Sequence, residues 1–549
     1  MTKKISKNKK KVAKIAMNTI PILVVFLFEW LGFLNYNMAD DYIMNTISAG
    51  FQTGTPNEHI VFINSIYGIL VKGLYSIIKS INWFGMGYLV TMLLCIYVLK
   101  NIFDKKVNKY ISLLAAIILE MVILTWMTFT VLAYLCVITG IIVFLQANYD
   151  YGQVQNIKNK SNIILAVVIE ALGIIFRIDA FVTGIIVCIP LLVCLISKKN
   201  IKTYLIFGGT IIILLVGFKV ENNLINSSST MKEYLNYNNA RSNVLDFPMK
   251  SYDDLDKKII SENDYKLLEG WILSDKDTFS EKALQNISDE VNINEKYNFN
   301  LINIICQMLK FKECWIFLAI ILIVLISNRR DYKYYVIQTI MTYGIVAATF
   351  FRSRPAHRVI VPLFIIGTLC ILFYFITKKE TNIKINKAVC AVLVIILPVL
   401  VLYLNMEYRI YRENREINDI YYEVKEYVQN NKNTLYATTE IGNMLYHNTI
   451  WKTKTDCVYD NVVGLGDWNI YNDVYYQVVK KYNLTDNNRL INDLVWDENV
   501  KCILSQTNSI VDLLKVHIEE QTGKKVDYKI IKKFDASNTA VYEFYYNEN

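Results

Sequence analysis

Apolar positions along this chain gather into long runs instead of alternating with polar ones. Eleven stretches hold almost no charge over roughly the 17–20 residues that a helix needs to cross a ~30 Å hydrocarbon core. They are, approximately, Ala16–Leu34, Phe84–Lys100, Ile111–Thr128, Val131–Ala147, Asn162–Phe176, Phe181–Ile196, Tyr204–Val220, Lys312–Ser327, Tyr334–Phe351, Val359–Thr377 and Ile385–Asn405. A helix of a soluble core would be shorter and would carry a polar face. The pattern predicts a polytopic α-helical membrane protein with about eleven transmembrane helices over residues 16–405. Ala16–Leu34 reads as an uncleaved first span, because no A-x-A cleavage site follows it.

One further apolar stretch, His59–Ser80, breaks the pattern. Ser65, Gly68, Lys72, Ser76 and Lys79 recur at three- and four-residue spacing and form one stripe of a helix. That is the signature of a helix lying in the interface, and Lys72 near its middle would be costly in hydrocarbon. Charge tests the choice. With this helix off the count and the N-terminus inside, Lys105/Lys106/Lys109, Lys158/Lys160, Lys198/Lys199/Lys202, Arg329/Arg330/Lys333 and Lys378/Lys379/Lys384/Lys387 all fall in cytoplasmic loops, as basic residues should. If it spanned, every one of them would face outward.

Outside then lie the loop 35–83, the long loop 221–311, the turns at Arg177–Asp179 and Arg352–Arg358, and residues 406–549. The last segment is polar. Helix-like stretches (Glu407–Asn430, Tyr471–Lys481, Ser509–Gln521) alternate with β-prone runs (Thr434–Thr438, Cys502–Ser505, Val526–Ile531, Ala540–Tyr545). This predicts a small extracytoplasmic α/β or α+β domain.

Composition agrees: 54% of the 549 residues are hydrophobic and 19% charged, too apolar for one soluble unit. The net charge of +9 does not imply nucleic acid, since much of it sits in the tail 1–15, at Lys3, Lys4, Lys7, Lys9, Lys10, Lys11 and Lys14. Most of the ten cysteines lie inside apolar runs, as small hydrophobes. Cys457 and Cys502 of the C-terminal segment are candidates for a disulfide. Abundant Lys, Asn and Ile fit an AT-rich bacterial source, and so a bacterial plasma membrane.

Chemistry concentrates at one membrane face. Asp40 and Asp41 follow the first span directly, and adjacent acids call for a metal, a cation or a proton; the simpler role is to start a helix over Asp41–Ala49. Glu58 and His59 follow a Gly/Pro turn and head the interfacial helix. Arg352, Arg354, His357 and Arg358 crowd a single outward turn against the positive-inside trend, which points to an anionic partner, since guanidinium binds phosphate in a bidentate manner. Ordinary anionic lipid headgroups are the plainer partner for them. Arg177 and Asp179 form a second outward pair, able to bridge each other. Within spans, Glu120 and Glu170 are expensive and should face the bundle interior.

Together these features resemble the GT-C superfamily of integral membrane glycosyltransferases, which includes the protein O-mannosyltransferases and the aminoarabinose transferase of lipid A. The resemblance rests on Met38-Ala39-Asp40-Asp41-Tyr42 after the first span, on the interfacial helix behind Gly54-Thr55-Pro56-Asn57-Glu58, and on the basic, proline-containing entry Arg352–Pro362 to a late span. It covers the membrane part and not the C-terminal domain. The Asp-Glu pair of the O-mannosyltransferases is absent, so protein mannosylation is not implied. The resemblance implies a polyprenyl-phosphate sugar donor and a cell-envelope glycan, lipid or protein acceptor. It casts Asp40 or Asp41 as base or, for Asp41 above all, as ligand of a divalent cation (Mg or Mn). It also casts the arginines as partners of the lipid phosphate. The competing reading is a proton-coupled transporter or flippase with Glu120, Glu170 and Arg177 as its path, although no repeated half supports it. A membrane scaffold with a C-terminal binding module is the third.

Overall fold

The computed structural model of the chain describes residues 17–151, 157–249, 251–290, 297, 299–328, 330–377, 382–445, 450–451, 459–507 and 509–547. The basic tail 1–15, Arg329, Lys378, Lys379 and Cys457 lie outside them. Each of the eleven apolar runs is helical. Seven helices are long and apolar enough to cross a membrane: Trp83–Phe103, Phe129–Asn148, Ile178–Leu195, Ile201–Ile225, Tyr332–Phe351, His357–Thr377 and Asn386–Ile420. Of the other four, Met17–Trp30, Lys109–Thr125 and Lys312–Ser327 run to 17 residues or fewer. Ile157–Phe176 carries Lys158, Lys160 and Glu170.

Phe129–Asn148 is apolar on every side, and a helix of that kind belongs at a centre. It is 94% buried, ringed by Trp83–Phe103, Ile157–Phe176, Ile178–Leu195 and His357–Thr377. The interfacial stretch forms a helix over Ser65–Ile77, with Asn64 capping it. Thirteen residues rise about 20 Å, short of the ~30 Å a span needs. Its buried face is Tyr67, Gly68, Val71 and Tyr75, while Ile69, Leu70 and Ile77 are exposed.

The last apolar helix does not stop at Asn405. It runs without a break from Asn382 to Ile420, because its backbone ladder continues after the charges that mark the end of the apolar stretch. The C-terminal domain therefore starts later than expected. Its sheet has five strands: β1 (Leu435–Thr438), β2 (Val462–Gly464), β3 (Val500–Ser505), β4 (Val526–Phe534) and β5 (Thr539–Tyr546). The order is β2-β1-β3-β5-β4. β1 pairs in parallel with β2 and β3, and β5 runs antiparallel to β3 and β4. The fully buried β1 and β2 are what a sheet covered on both faces requires. Cys502 is a free thiol buried in β3.

The long loop 221–311 is not independent of this domain. Helices Ser229–Leu245, Glu262–Glu269 and Glu281–Glu290 share one hydrophobic core with the sheet, joining Tyr237, Leu268 and Ile287 to Leu435, Leu504 and Tyr542. At its centre, the fully buried His517 reaches Asp264 through Nδ1 at 2.6 Å and Asp275 through Nε2 at 3.0 Å. Burial disfavours the imidazolium, but the two carboxylates outweigh it and raise the His517 pKa to about 9. A group raised in the fold contributes stability that is complete below its unfolded pKa, about 6.5, and that is lost as pH rises through about 9. Thermal melting of the domain should therefore drop between pH 7 and 9 in the native protein. His517→Gln should melt lower at pH 7, by roughly 3–5 kcal/mol of stability, and show no such drop. A variant as stable as the native chain would show that the ion triad does not join loop and domain.

Candidate functional site

Asp40 and Asp41 open the helix Ala39–Ala49, whose N-cap is Met38 with no side-chain cap. The two acids thus lie in the first turn, where the helix dipole favours negative charge, and neither is the cap itself. The helix ends at Gly50, which adopts φ 71°. A Cβ there would sit 2.3 Å from the Thr55 carbonyl carbon, so only glycine lets the chain fold back this tightly.

The paired acids have different surroundings. Asp40 is the partly accessible one, with 22% of its side chain exposed. Its Oδ2 faces Arg358 Nη1 at 3.4 Å, and its Oδ1 accepts the indole N–H of Trp468 at 3.1 Å. Asp41 is fully buried. Its Oδ1 accepts from the Tyr88 hydroxyl at 2.7 Å and from the Phe129 backbone N–H at 3.2 Å. Its Oδ2 has no hydrogen-bond partner among the described residues. Burial, reinforced by the neighbouring Asp40 charge, pushes the Asp41 carboxyl up to about 7.

Arg358 stands at the start of His357–Thr377. Arg177, the N-cap of Ile178–Leu195, donates to Thr130 Oγ1 at 2.9 Å and lies over the Phe129 ring at 5.1 Å. It makes no direct salt bridge to Asp179 among the described residues, although its charge interacts with that of Asp179 after that of Arg358, and more weakly with that of Asp40. Arg352 is exposed at the C-cap of Tyr332–Phe351. Arg358 and Arg177 are thus the guanidinium groups that the fold brings to the acids.

The other expected site residues are turned elsewhere. Arg354 pairs with Asp246 at 2.9 Å and lies over Phe247. His357 stacks on Trp126 with a ring separation of 5.3 Å and also touches Phe311. Glu58 bonds Lys72 of the interfacial helix at 2.5 Å. His59 bonds Asn226 at 2.8 Å and approaches Asp473 at 3.8 Å. Glu58 thus braces the first loop internally, and His59 ties it to Asn226 and Asp473. On Lys109–Thr125 and Ile157–Phe176, the carboxylates of Glu120 and Glu170 are buried and lack a hydrogen-bond partner among the described residues.

Several residues of the site belong to the C-terminal domain, where nothing in the sequence had been singled out. The loop after β2 carries Asp467 at φ 80°, its Oδ1 2.6 Å from the Trp468 backbone N–H. Burial and the nearby Asp40 push its carboxyl up to about 6. The available sequence signal was the turn Gly464-Leu465-Gly466-Asp467-Trp468, with two glycines flanking an acid and an aromatic.

A largely apolar cleft, partly open to its surroundings, lies along His357–Thr377 from Val361 to Leu372. Its walls come from five helices and include Ile96, Leu119, Phe317, Val361, Phe364 and Val392. Val361 is one turn from Arg358. Glu313 and Tyr403, hydrogen-bonded to each other, line it too, as do Lys100 and Ser112.

Asp40 is committed to Arg358 and Trp468, Asp41 offers one uncommitted oxygen, and no group of three or more His, Cys, Asp or Glu able to hold a metal occurs among the described residues. No known protein family, curated protein or solved structure matches the chain.

Proposed function

We propose that this chain is an integral membrane glycosyltransferase of the GT-C type. It would move a sugar from a polyprenyl-phosphate donor to an acceptor hydroxyl on the outer face of a bacterial plasma membrane. One arrangement carries the reading: Arg358 faces the accessible acid Asp40 one turn before Val361, which lines a largely apolar cleft between helices. A lipid phosphate has that same division, an anionic head on a long apolar tail. The tail occupies the cleft between the helices, and Arg358, with Arg177 behind it, faces the phosphate. All eleven apolar helices cross the membrane in this account, with the N-terminus inside and the C-terminal domain outside.

In the reaction the bond between sugar C1 and the phosphate oxygen breaks and a bond from the acceptor oxygen to C1 forms. Asp40, the accessible acid, takes the acceptor proton. The polyprenyl phosphate leaves with its charge facing the arginines. Asp41 is walled off from substrate and acts through Asp40. Above pH about 7 it ionises and adds a second negative charge beside the reacting hydroxyl. Transfer should therefore rise with pH through about 7, and the inflection should vanish in Asp41→Asn. An identical pH profile in native protein and variant would reject this role. No step is routed through a metal ion.

Photolabelling tests the donor site. A benzophenone-bearing polyprenyl phosphate, irradiated with the full chain in nanodiscs, should mark peptides of Trp83–Phe103, Lys312–Ser327 and His357–Thr377. Unlabelled polyprenyl phosphate should compete it away. Label confined to other helices would overturn the assignment. The rival reading of a proton-coupled transporter has one observation in its favour, the unpartnered carboxylates of Glu120 and Glu170, which the glycosyltransferase reading leaves without a role.

A further inference from the structure

Backbone strain is unevenly spread over this chain. Among the described residues, six that are not glycine have positive φ: Trp271, Ser353, Asp467, Tyr471, Asn483 and Asn538. The two asparagines are ordinary, since Asn tolerates the left-handed region. The remaining four gather where the long loop, the arginine turn and the C-terminal domain meet. Strain that persists at one corner of a fold points toward function.

Trp271 is the most unusual of them. Its φ is 60°, yet its indole is 39% exposed, so no buried apolar contact explains a bulky residue at a position suited to glycine. Its backbone is fixed from both sides. The N–H donates to Leu268 at 2.9 Å, and the carbonyl lies so close to Gly466 that a Cβ there would come within 1.4 Å of its oxygen. Next to it, Ile272 bridges to Gly466 itself, one residue before Asp467.

Against the indole lies Arg241, its guanidinium 5.3 Å from the ring centre. Arg241 is 3% exposed. Its Nε donates to Asn238 at 2.9 Å, while Nη1 is 3.6 Å from Asp246 Oδ1 and has no hydrogen bond. Asp246 is shared with Arg354 on its other oxygen, at 2.9 Å. Arg354 is four residues from Arg358, the partner of Asp40. An aromatic face and a carboxylate held between two guanidinium groups therefore lie side by side where the long loop meets the arginine turn.

We propose that Trp271, Arg241, Asp246 and Arg354 form the acceptor subsite, and that it takes a pyranose ring of a glycan chain. The apolar C–H face of the ring stacks on the indole. Its hydroxyls donate to the Asp246 carboxylate and accept from the exposed Arg354 guanidinium, while Arg241 holds the other face of the indole. Both guanidinium groups are already engaged by Asp246, and the indole beside them suits a polyhydroxylated neutral ring better than a phosphate. The inference rests on the glycosyltransferase reading and narrows its acceptor to carbohydrate.

The test is direct binding to the full chain in nanodiscs, read by saturation-transfer NMR with chitotetraose, mannotetraose and cellotetraose as probes. The native protein should bind at least one of them. Trp271→Gly should weaken that binding roughly tenfold, the size of a lost stacking contact, and Trp271→Phe should largely restore it. Because glycine suits a positive φ, Trp271→Gly should melt no lower than the native protein, which separates lost binding from lost folding. No binding of any probe, or equal binding by Trp271→Gly, overturns the proposal. So does quenching by nitroxide lipids that is present in native protein, absent in Trp271→Phe and indifferent to glycan, since Trp271 would then be a membrane anchor. Glycan binding that depends on Trp271 in a protein inert toward every donor would support the subsite while sinking the glycosyltransferase reading. Donor turnover with binding indifferent to Trp271 would sink the subsite alone.

Discussion

Asp40→Asn lowers sugar transfer by roughly 10²–10⁴-fold, the contribution of a positioned general base. The exchange keeps the shape of the side chain and leaves an oxygen to accept the Trp468 indole N–H, so the C-terminal domain stays docked. What it removes is the charge that faces Arg358 and the site for the acceptor proton. The cost to stability is small, because the pair with Arg358 is long at 3.4 Å and partly exposed, and such pairs contribute about 0–1 kcal/mol. The variant should therefore melt close to the native protein and fail in chemistry. Radiolabel transferred per mole of folded protein measures this. Transfer within a factor of two of native would remove Asp40 from the reaction.

The second large effect is at Arg358. Arg358→Ala should lower kcat/KM for a polyprenyl-phosphate donor by roughly 10²–10³-fold, the range for removing one group that stabilises a developing anion. Two losses combine there: the departing phosphate loses its nearest counter-charge, and Asp40 loses the partner that orients it. Arg358→Lys should recover only part, since an ammonium is a point charge without the planar fork. Arg354→Ala serves as a contrast. Its guanidinium is engaged with Asp246, so donor KM should stay near native. Equal donor kinetics in native protein and Arg358→Ala would contradict the phosphate assignment.

Much of the membrane part was legible because a lack of charge over ~20 residues has one physical meaning in lipid. All eleven runs proved helical, and His59–Ser80 holds a helix of 13 residues, too short to span. Its polar stripe was not the solvent face, however. Gly68 is buried, and Lys72 reaches back to Glu58. The boundary at Asn405 misled because hydropathy reports where lipid ends, and a helix ladder needs no lipid to continue to Ile420. β2 escaped notice because Val462–Gly464 is three residues long, below any period that a sequence can show.

The site itself was half legible. Asp40, Asp41 and Arg358 stood out as local anomalies of charge, and the fold brings them together. Trp468 is 428 residues from the Asp40 it holds, and Arg241 is one arginine in a polar helix. Neither breaks a local rule. Partnerships of that kind depend on how domains dock, which local pattern does not encode. Arg354 and His357 share the arginine turn with Arg358 but face away from the acids, because neighbouring positions on a turn and a helix start point in different directions.

In this account Arg358 takes the anionic head of a lipid-linked sugar donor. The native protein in nanodiscs, incubated with a panel of radiolabelled polyprenyl-phosphate sugars, should release or transfer sugar from at least one of them, and Asp40→Asn should not. A folded native protein that turns over none of the panel would contradict the account and leave the unpartnered Glu120 and Glu170, and with them transport, as the function to pursue.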